Sequence, residues 1–342
     1  MSHTERVVEN LNRALGDLLD RDPKVYLLGE DITDPYGGAF KVTHGLSTRH
    51  PDRVLGTPIS EGGLVGVAGG LALTGQTAIA EIMFSDFVTL AFDQIVNFAS
   101  KAVTMFGRVV PIRLVIRCPT GGRRGYGPTH SQSLQKHFLG VPNLVLFELS
   151  PFHDAGDIFA AILARGRPTI LFEDKVLYTE RTHRDGRVDD LFGFDLLGPQ
   201  SVARARVEDV GAPDCVLVCP GGLAGRALAA ARTLLLVDEI VTEVLVPAQL
   251  YPLDVEPLLP VLAAAQQVVV VEDSTAGGTW GAGIAHDVHT RLWGRLRAPV
   301  RQLHARDAVV PSTAHLEHEV LVQDEDIRHM VKDYLRRGID RG

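Results

Sequence analysis

The chain has 342 residues, of which 45% are hydrophobic and 22% are charged, a composition typical of a globular protein with room for about two domains. Its 34 basic and 42 acidic residues give a net charge of −8. Because a nucleic-acid surface needs clustered positive charge, this balance argues against a nucleic-acid partner.

The three cysteines, Cys118, Cys215 and Cys219, form neither a CxxC pair nor a cluster with histidines at zinc spacing. The sequence therefore predicts no disulfide framework and no structural metal, and it fits a reducing cytoplasm. The first residues lack the layout of a signal peptide, and no run approaches the roughly 18 apolar residues of a membrane helix. We expect a cytoplasmic protein with no membrane partner.

Apolar residues recur with helical or strand-like spacing through the first half of the chain. This alternation is typical of a mostly parallel sheet that is covered on both faces. The predicted elements are a helix at 4–19, a strand at 25–31, helices at 42–48 and 64–74, a strand at 77–83, a helix at 86–102, a strand at 111–118, a short helix at 130–139, a strand at 143–148, a helix at 154–164 and a strand at 169–173.

The pattern breaks at 179–213, which is charged and irregular, and then resumes. The fold class is therefore α/β, with two doubly wound three-layer domains at 1–178 and 214–342 joined by a linker at 179–213. In the second domain we predict strands at 214–219, 240–247 and 268–271, helices that end at 232 and 293, and helices at 255–265 and 324–335.

Several catalytic motifs are absent. The chain contains no GxxxxGK[ST], no strand-borne GxGxxG, no HExxH and no GxSxG, so P-loop, dinucleotide-binding and hydrolase functions lose support. Ligands of such folds bind at the carboxyl ends of parallel strands. The candidate places in the first domain are the glycine-rich turns that follow Leu28, Pro58 and Pro119.

Glu61 lies in the segment TPISEGG (57–63), where the chain turns into a helix that has no charged residue until Glu81. On position alone, the commoner interpretation is a structural carboxylate that interacts with the helix dipole. The alternative follows from the helix, which is apolar enough to be buried or to pack on another subunit. A carboxylate beside it would be poorly solvated, and it would hold or donate a proton to a ligand nitrogen.

His130 lies in GPTHSQS (127–133), where glycine and proline predict a loop, and it is expected to open a short helix with Thr129 or Ser131 as cap. A histidine at the ligand end of a sheet is a candidate acid or base. The chain has 13 histidines, however, and a surface or core role is the commoner one. Arg123 and Arg124 either bind an anionic substrate or lie in a solvated loop.

Phe87 follows a strand in AEIMFSDF (80–87), and an aromatic ring at such a turn either stacks on a flat heterocycle or packs in the core. On the next predicted helix, Asp93 and Asn97 are four residues apart and share one face.

Together these segments resemble the β subunit of the thiamine-diphosphate-dependent 2-oxo acid dehydrogenase E1 component, a family that includes pyruvate, branched-chain and acetoin dehydrogenases. The C-terminal half resembles the transketolase C-terminal domain through YPLD (251–254) and VVVVED (268–273). In the first half, the order and spacing match at GED (29–31), YGGAFKVT (36–43), TPISE (57–61), AEIMFSDF (80–87), FDQIVN (92–97) and GPTHSQS (127–133).

The resemblance assigns roles to residues. It implies that Glu61 hydrogen-bonds N1′ of the cofactor's aminopyrimidine ring, and that the thiazolium ring acts as electron sink after decarboxylation. Phe87 matches an aromatic residue that lies against the pyrimidine, and Ile59 and Met83, from the same motifs, are assigned to cofactor binding. His130 matches a histidine that steadies the intermediate or helps acyl transfer to lipoyl-lysine.

The resemblance also implies partners. The chain has no GDG…N segment, which holds Mg²⁺ and the diphosphate in complete enzymes, so an α subunit is expected to supply both. We expect an α₂β₂ heterotetramer that decarboxylates a 2-oxo acid and passes the acyl group to a lipoylated E2 acyltransferase or another acceptor. No metal site is expected on this chain.

One segment departs from the family. Relatives often carry an aspartate and an asparagine that help to hold a structural K⁺ before the proline matching Pro168. Here the segment is Arg165-Gly166-Arg167-Pro168, and two arginines would repel a cation or replace it with a guanidinium. We expect no K⁺ at this loop.

Two other functions remain open from the sequence. The first is a transketolase-type carboligation, in which the acyl group goes to an aldehyde. The second is a non-catalytic docking scaffold, which the intact Glu61 and His130 segments oppose. The substrate stays open as well, because Phe87 favours pyruvate-type relatives, whereas SPF (150–152) and FEDKVLY (172–178) favour branched-chain ones.

Overall fold

The computed structural model describes residues 5–339, and the chain divides into two units. The first unit comprises Met1–Gly121 and Gln132–Thr182. The second comprises Gly122–Ser131 and His183–Gly342. A ten-residue segment in the middle of the first unit's sequence therefore belongs to the second unit.

The first unit contains a parallel sheet of six strands in the order β5-β6-β4-β3-β1-β2. Its strands are β1 (Val25–Gly29), β2 (Val54–Gly56), β3 (Thr77–Glu81), β4 (Leu114–Thr120), β5 (Val145–Glu148) and β6 (Thr169–Asp174). Its α-helices are α1 (Val7–Arg21), α2 (Leu46–Arg49), α3 (Glu61–Leu73), α4 (Ser100–Ala102) and α5 (Ala155–Arg165).

Four strands of this unit, β3 to β6, are buried at every position. Continuous burial is typical of parallel strands with helices on both faces, so the predicted α/β class is confirmed. On one face, α3 lies very close to its neighbour, since a Cβ atom at Gly69 would be 2.5 Å from a ring carbon of Phe98. Glycine at position 69 is therefore a packing requirement.

Some element predictions for this unit are wrong in detail. The predicted helix at 86–102 is a 3-10 helix (Ser85–Ala91), a π-helix (Gln94–Ala99) and the short α4. The predicted helix at 130–139 is reduced to a 3-10 turn, Gln135–Phe138. Both segments carry apolar residues at helical spacing, and this pattern does not distinguish an α-helix from tighter or wider turns.

The second unit contains a mixed sheet of six strands in the order β13-β12-β9-β10-β8-β7. The pairs among β13, β12, β9 and β10 are parallel, whereas β8 pairs antiparallel with β10 and β7. A short strand, β11 (Gln249–Tyr251), lies outside this sheet. The sheet strands are β7 (Phe192–Leu197), β8 (Val202–Val207), β9 (Cys215–Val218), β10 (Thr242–Val246), β12 (Gln267–Thr275) and β13 (Arg301–Ala305).

The helices of the second unit cover its strands. The helices are α6 (Ala224–Asp238), α7 (Leu259–Ala264), α8 (Trp280–Arg291), α9 (Ala314–Val320) and α10 (Asp324–Ile339). Helices α6 and α10 are joined by hydrogen bonds that Arg328 of α10 donates to Asp238 of α6.

In the part of the chain that the structure describes, no helix is both long and apolar enough to traverse a bilayer.

The linker predicted at 179–213 is wrong, because this segment contains β7 and β8. The boundary between the units falls after Thr182 instead. In β8, apolar and charged residues alternate, and Arg204 donates to Glu243 of β10 at 2.8 Å. The charges that suggested a linker thus belong to a half-buried strand pair.

Candidate active site

Glu61 is the first residue of α3, and its side chain is buried, with 6% of the residue exposed. The next residues of the helix are glycine and aliphatic residues, so the carboxylate has an apolar neighbourhood on its own element. The prediction that Glu61 stands at the start of an apolar helix is confirmed, and this helix is buried on one side while Val67 is exposed. Its role toward a ligand stays a prediction.

Glu30, the residue that follows β1, is the partner that sequence reasoning missed. It is 5% exposed, and its pKa is raised, first by burial and then by the negative charge of Glu61. The backbone N–H of Ser60 donates to Glu30 and partly offsets this effect. Oε1 of Glu30 has no hydrogen-bond partner among the described residues. Two buried carboxylates therefore lie close together at the carboxyl end of the sheet.

The three residues assigned to cofactor contacts differ in their surroundings. Phe87 is half-buried in the 3-10 helix after β3, and Met83 is half-buried in the turn before it. Ile59, by contrast, is 81% exposed. Ile59 therefore makes few contacts within the described chain.

Asp86, beside Phe87, is also buried and was not singled out by the sequence. Its Oδ1 accepts from the backbone N–H of Gln132 at 3.3 Å and from the Gln132 side-chain amide at 2.8 Å. These bonds fix the turn that carries Phe87. The predicted pair of Asp93 and Asn97 is confirmed, since the Asn97 amide donates to Asp93 at 2.7 Å on an exposed face.

A buried ion cluster lies at the ends of β3, β4 and β6. The Arg117 guanidinium donates to Glu81 at 2.5 Å and, through two bonds of 2.7 Å, to Glu173. The Tyr178 hydroxyl also donates to Glu173 at 2.7 Å. Burial raises the pKa of Glu81, and Arg117 opposes this rise. Glu81, Arg117 and Glu173 each stand among apolar residues of a strand. Charged residues in such runs indicate a buried ion pair, and this pattern could have predicted the cluster.

His130 belongs to the second unit, whereas Glu61 and Phe87 belong to the first. It is half-buried in a loop, so the prediction that it opens a helix is wrong. Its backbone N–H donates to the Gly127 carbonyl at 3.3 Å, and its Nδ1 lies 3.0 Å from the Thr129 hydroxyl. Glycine and proline keep this segment in a turn, which the sequence did predict.

Arg123 and Arg124, candidates for binding an anionic substrate, are both half-buried. The Arg123 guanidinium donates to the Gly222 carbonyl at 3.1 Å, and its backbone N–H donates to Glu317. Arg123 therefore has a structural role within the second unit. The role of Arg124 stays open.

Arg165 and Arg167 flank Gly166 at the end of α5, and both are exposed. The pKa of Arg165 is lowered, first by partial burial and then by the charge of Arg167. The Arg167 guanidinium donates to the Asn143 side chain at 3.2 Å. Across residues 5–339, no cluster of three or more histidine, cysteine, aspartate and glutamate residues has metal-binding geometry.

Two family profiles cover most of the chain. The profile "Transketolase, pyrimidine binding domain" matches residues 6–181, and "Transketolase, C-terminal domain" matches residues 182–327. Their junction lies next to the boundary between the two structural units. Glu61 and Phe87 lie within the first profile, and so does His130.

Curated relatives match along nearly their whole length. The pyruvate dehydrogenase E1 component subunit beta-1 of Oryza sativa subsp. japonica is 31% identical over 334 residues, which cover 97% of this chain and 87% of the relative. The acetoin:2,6-dichlorophenolindophenol oxidoreductase subunit beta of Cupriavidus necator is 32% identical over 316 residues, which cover 90% of each.

A solved structure, a split-gene transketolase described as an inactive β4 tetramer, superposes with a TM-score of 0.68 over 95% of this chain and 96% of its own. At 21% identity, this likeness establishes the fold. The profiles and the curated relatives establish more. Since both domains match in order and the identity exceeds 30% over nearly the full length, the chain belongs to the family of β subunits of 2-oxo acid dehydrogenase E1 components.

Proposed function

We propose that this chain supplies the aminopyrimidine-binding half of a thiamine diphosphate site, in an enzyme that oxidatively decarboxylates a 2-oxo acid. The observation that carries the proposal is a pair of buried carboxylates, Glu30 directly after β1 and Glu61 at the start of the apolar helix α3. Neither carboxylate forms a salt bridge with any described residue. Such a pair is stabilised by a ligand that brings N–H donors or accepts a proton.

The residues present fit an aminopyrimidine. Its amino group and ring nitrogens can pair with carboxylates, and a buried oxygen of Glu30 has no partner in the described chain. Phe87 offers a half-buried aromatic ring for contact with a flat heterocycle. When bound, thiamine diphosphate supplies the electron sink for decarboxylation.

In this proposal, Glu61 holds a proton at the pyrimidine ring nitrogen, and its apolar surroundings strengthen that bond by excluding water. Phe87 and Met83 orient the ring through apolar contacts, and Ile59 contributes to the covered surface. His130 moves a proton at the acyl group. The Asp86–Gln132 hydrogen bonds keep Phe87 in place.

The Mg²⁺ and diphosphate site belongs, in our proposal, to an α subunit, and the active assembly is α₂β₂. Support comes from the relatives, which are named as β subunits, and from apolar side chains left exposed near the start of α3. Ile59 is 81% exposed, Val67 60% and Leu90 63%. Exposed apolar groups on neighbouring elements are typical of a protein interface.

We propose a lipoyl domain of an E2 acyltransferase as the acyl acceptor, and we keep two substrate classes. Pyruvate dehydrogenase and acetoin oxidoreductase β subunits match this chain at nearly equal identity, 31% and 32%. Acetoin oxidation is therefore kept as a second candidate beside the proposed decarboxylation of a 2-oxo acid such as pyruvate.

The test is reconstitution. The chain is purified with the α subunit encoded beside it, loaded with thiamine diphosphate and Mg²⁺, and supplied with pyruvate, branched-chain 2-oxo acids or acetoin. Reduction of 2,6-dichlorophenolindophenol reports turnover, and a lipoyl domain then replaces the dye. We expect turnover of one substrate class in both assays.

Two results would contradict the proposal. A carbon–carbon bonded product formed from an aldehyde, with no turnover in either acceptor assay, would identify a carboligase. An α/β complex that fails to bind thiamine diphosphate, measured by calorimetry, would identify a scaffold.

A further inference from the structure

The loop that carries His130 has an unusual backbone. Three of its residues have positive φ angles: Arg123 at 69°, Gly125 at 69° and Gly127 at 76°. For the arginine this left-handed conformation is strained, and a strained loop conformation persists only when its surroundings impose it. The contacts that impose it come from a distant part of the second unit.

Glu317, on α9, is the principal contact. Its Oε1 accepts the backbone N–H of Arg123 at 2.7 Å, and its Oε2 accepts the backbone N–H of Gly125 at 3.0 Å. Glu317 is 2% exposed. Hydrogen bonds from backbone N–H groups to a buried carboxylate are stronger than those between neutral groups.

The packing around these bonds leaves little room for other conformations. A Cβ atom at Gly122 would lie 2.7 Å from Oε1 of Glu317 and 2.6 Å from a methyl carbon of Leu321. A Cβ atom at Gly127 would lie 2.6 Å from the Ser312 hydroxyl. Glycines at these two positions allow the loop backbone to approach the segment that contains α9.

The loop supplies hydrogen-bond donors to the buried Glu317 carboxylate. The donors are the backbone N–H groups of Arg123 and Gly125, one to each oxygen of the carboxylate. A buried carboxylate is costly unless it accepts hydrogen bonds. The loop and the carboxylate therefore stabilise each other.

We infer that Glu317 is a positioning residue for His130. The path is short, because Glu317 holds Gly125, Gly127 follows two residues later, and the Gly127 carbonyl accepts the N–H of His130. Glu317 acts through the backbone, and it touches neither substrate nor cofactor. The inference rests on the proposed function for the role of His130, whereas the anchoring of the loop is independent of it.

Limited proteolysis of the α/β holoenzyme tests the anchoring. Trypsin cleaves after Arg123 and Arg124 only when the loop opens. Glu317→Gln retains the size of the side chain and removes its charge, and Glu317→Ala removes both acceptors. We expect cleavage in the loop to be roughly tenfold faster in Glu317→Ala, with a smaller increase in Glu317→Gln.

The matched control is Glu319→Gln. Glu319 lies on the same helix, but it is exposed, and its ion pair with Arg306 is long at 3.9 Å. Its substitution is expected to leave loop cleavage, kcat and cofactor affinity unchanged. Circular dichroism and thermal melting establish that each variant is folded.

Kinetics test the positioning. Glu317→Gln is expected to lower kcat for acyl transfer about tenfold, while the dissociation constant of thiamine diphosphate changes less than about twofold. In the His130→Ala background, Glu317→Gln is expected to cause no further loss, because the two residues act as one unit.

The outcomes separate the inference from the proposed function. Unchanged loop cleavage in a folded Glu317→Ala enzyme would overturn the anchoring. Faster cleavage with unchanged kcat, or additive losses in the double variant, would overturn the positioning of His130. If the wild-type holoenzyme turns over no 2-oxo acid or acetoin, the proposed function fails, and the proteolysis still decides whether Glu317 holds the loop.

Discussion

The first unit contains two pairs of buried glutamates, and only one of the pairs has a cation from the described chain. Glu81 and Glu173 share the Arg117 guanidinium, which forms three hydrogen bonds with them. Glu30 and Glu61 have no cation from the described chain, and Oε1 of Glu30 has no hydrogen-bond partner. Both pairs are buried.

The difference separates a structural cluster from a binding site. A buried carboxylate with a cation and further hydrogen bonds is satisfied within the fold, so it needs no ligand. A buried carboxylate that lies near a like charge and has no cation, such as Glu30, has a raised pKa and gains stability from a ligand that brings a proton or N–H donors. Breaking each pair should therefore have a different consequence.

The largest effect is expected from Glu61→Gln in the reconstituted enzyme. The amide cannot hold the proton at the pyrimidine nitrogen, so turnover should fall by roughly 10² to 10⁴. Dye reduction measures turnover, and calorimetry measures cofactor binding. Turnover that stays within a few-fold of wild type would refute the role assigned to Glu61.

Arg117→Met should destabilise the subunit rather than impair its chemistry directly. It leaves Glu81 and Glu173 buried without their cation, and removal of one partner of a buried ion pair costs about 3–5 kcal/mol. Urea denaturation followed by circular dichroism measures the loss. Arg113→Met, at an exposed position just before β4, is the control and should change little. Equal stability of the two variants would contradict the structural role of the cluster.

Glu30→Gln should change the stability of the subunit less than Arg117→Met does, and it should raise stability where Arg117→Met lowers it. The pKa of Glu30 is raised in the folded state, above its ordinary value of about 4.3, by burial and by Glu61. The folded state then binds the proton more tightly than the unfolded state, so wild-type stability falls as pH rises through this interval. The variant lacks this fall. Its melting temperature should exceed that of wild type at pH 7, and the difference should vanish below about pH 4.

The control for this prediction is Asp31→Asn, because Asp31 is exposed and contributes a weaker repulsion to Glu30. Its pH-dependent gain should be smaller. A difference between Glu30→Gln and wild type that does not change with pH would show that the pKa of Glu30 is not raised in the folded subunit.

The smallest effect is expected at a pair of neighbouring positive charges, Arg165 and Arg167. Their mutual repulsion should exclude K⁺ from the loop before β6. Replacing NaCl by KCl should therefore move the melting temperature of the holoenzyme by less than about 1 °C. A clear stabilisation that is specific for K⁺, or anomalous density at the loop, would refute this prediction.

The sequence sufficed for the α/β class and for the position of Glu61, because both depend on local patterns. Apolar periodicity predicts the strands, and a glutamate before an uncharged helix predicts a buried carboxylate. Glu30 was missed as its partner because their proximity arises from the order of β1 and β2 in the sheet. That order is a property of the folded chain.

The errors have related causes. The segment 179–213 was predicted as a linker because its charges obscured the alternation in β8, where Arg204 has a partner on β10. His130 was predicted to open a helix because its loop contains capping residues, yet a glutamate 187 positions later holds the backbone in a turn. Contacts between residues so distant in sequence leave no local pattern.

The segment 122–131 also constrains how this protein can recombine with its relatives. It lies within the sequence of the first unit but belongs to the second, and Glu317 holds it there. A crossover after Thr182 would inherit the loop from one parent and Glu317 from the other. Chimeras should therefore remain active when both parents carry an acidic residue on α9 and glycine at positions 122 and 127, and lose activity otherwise.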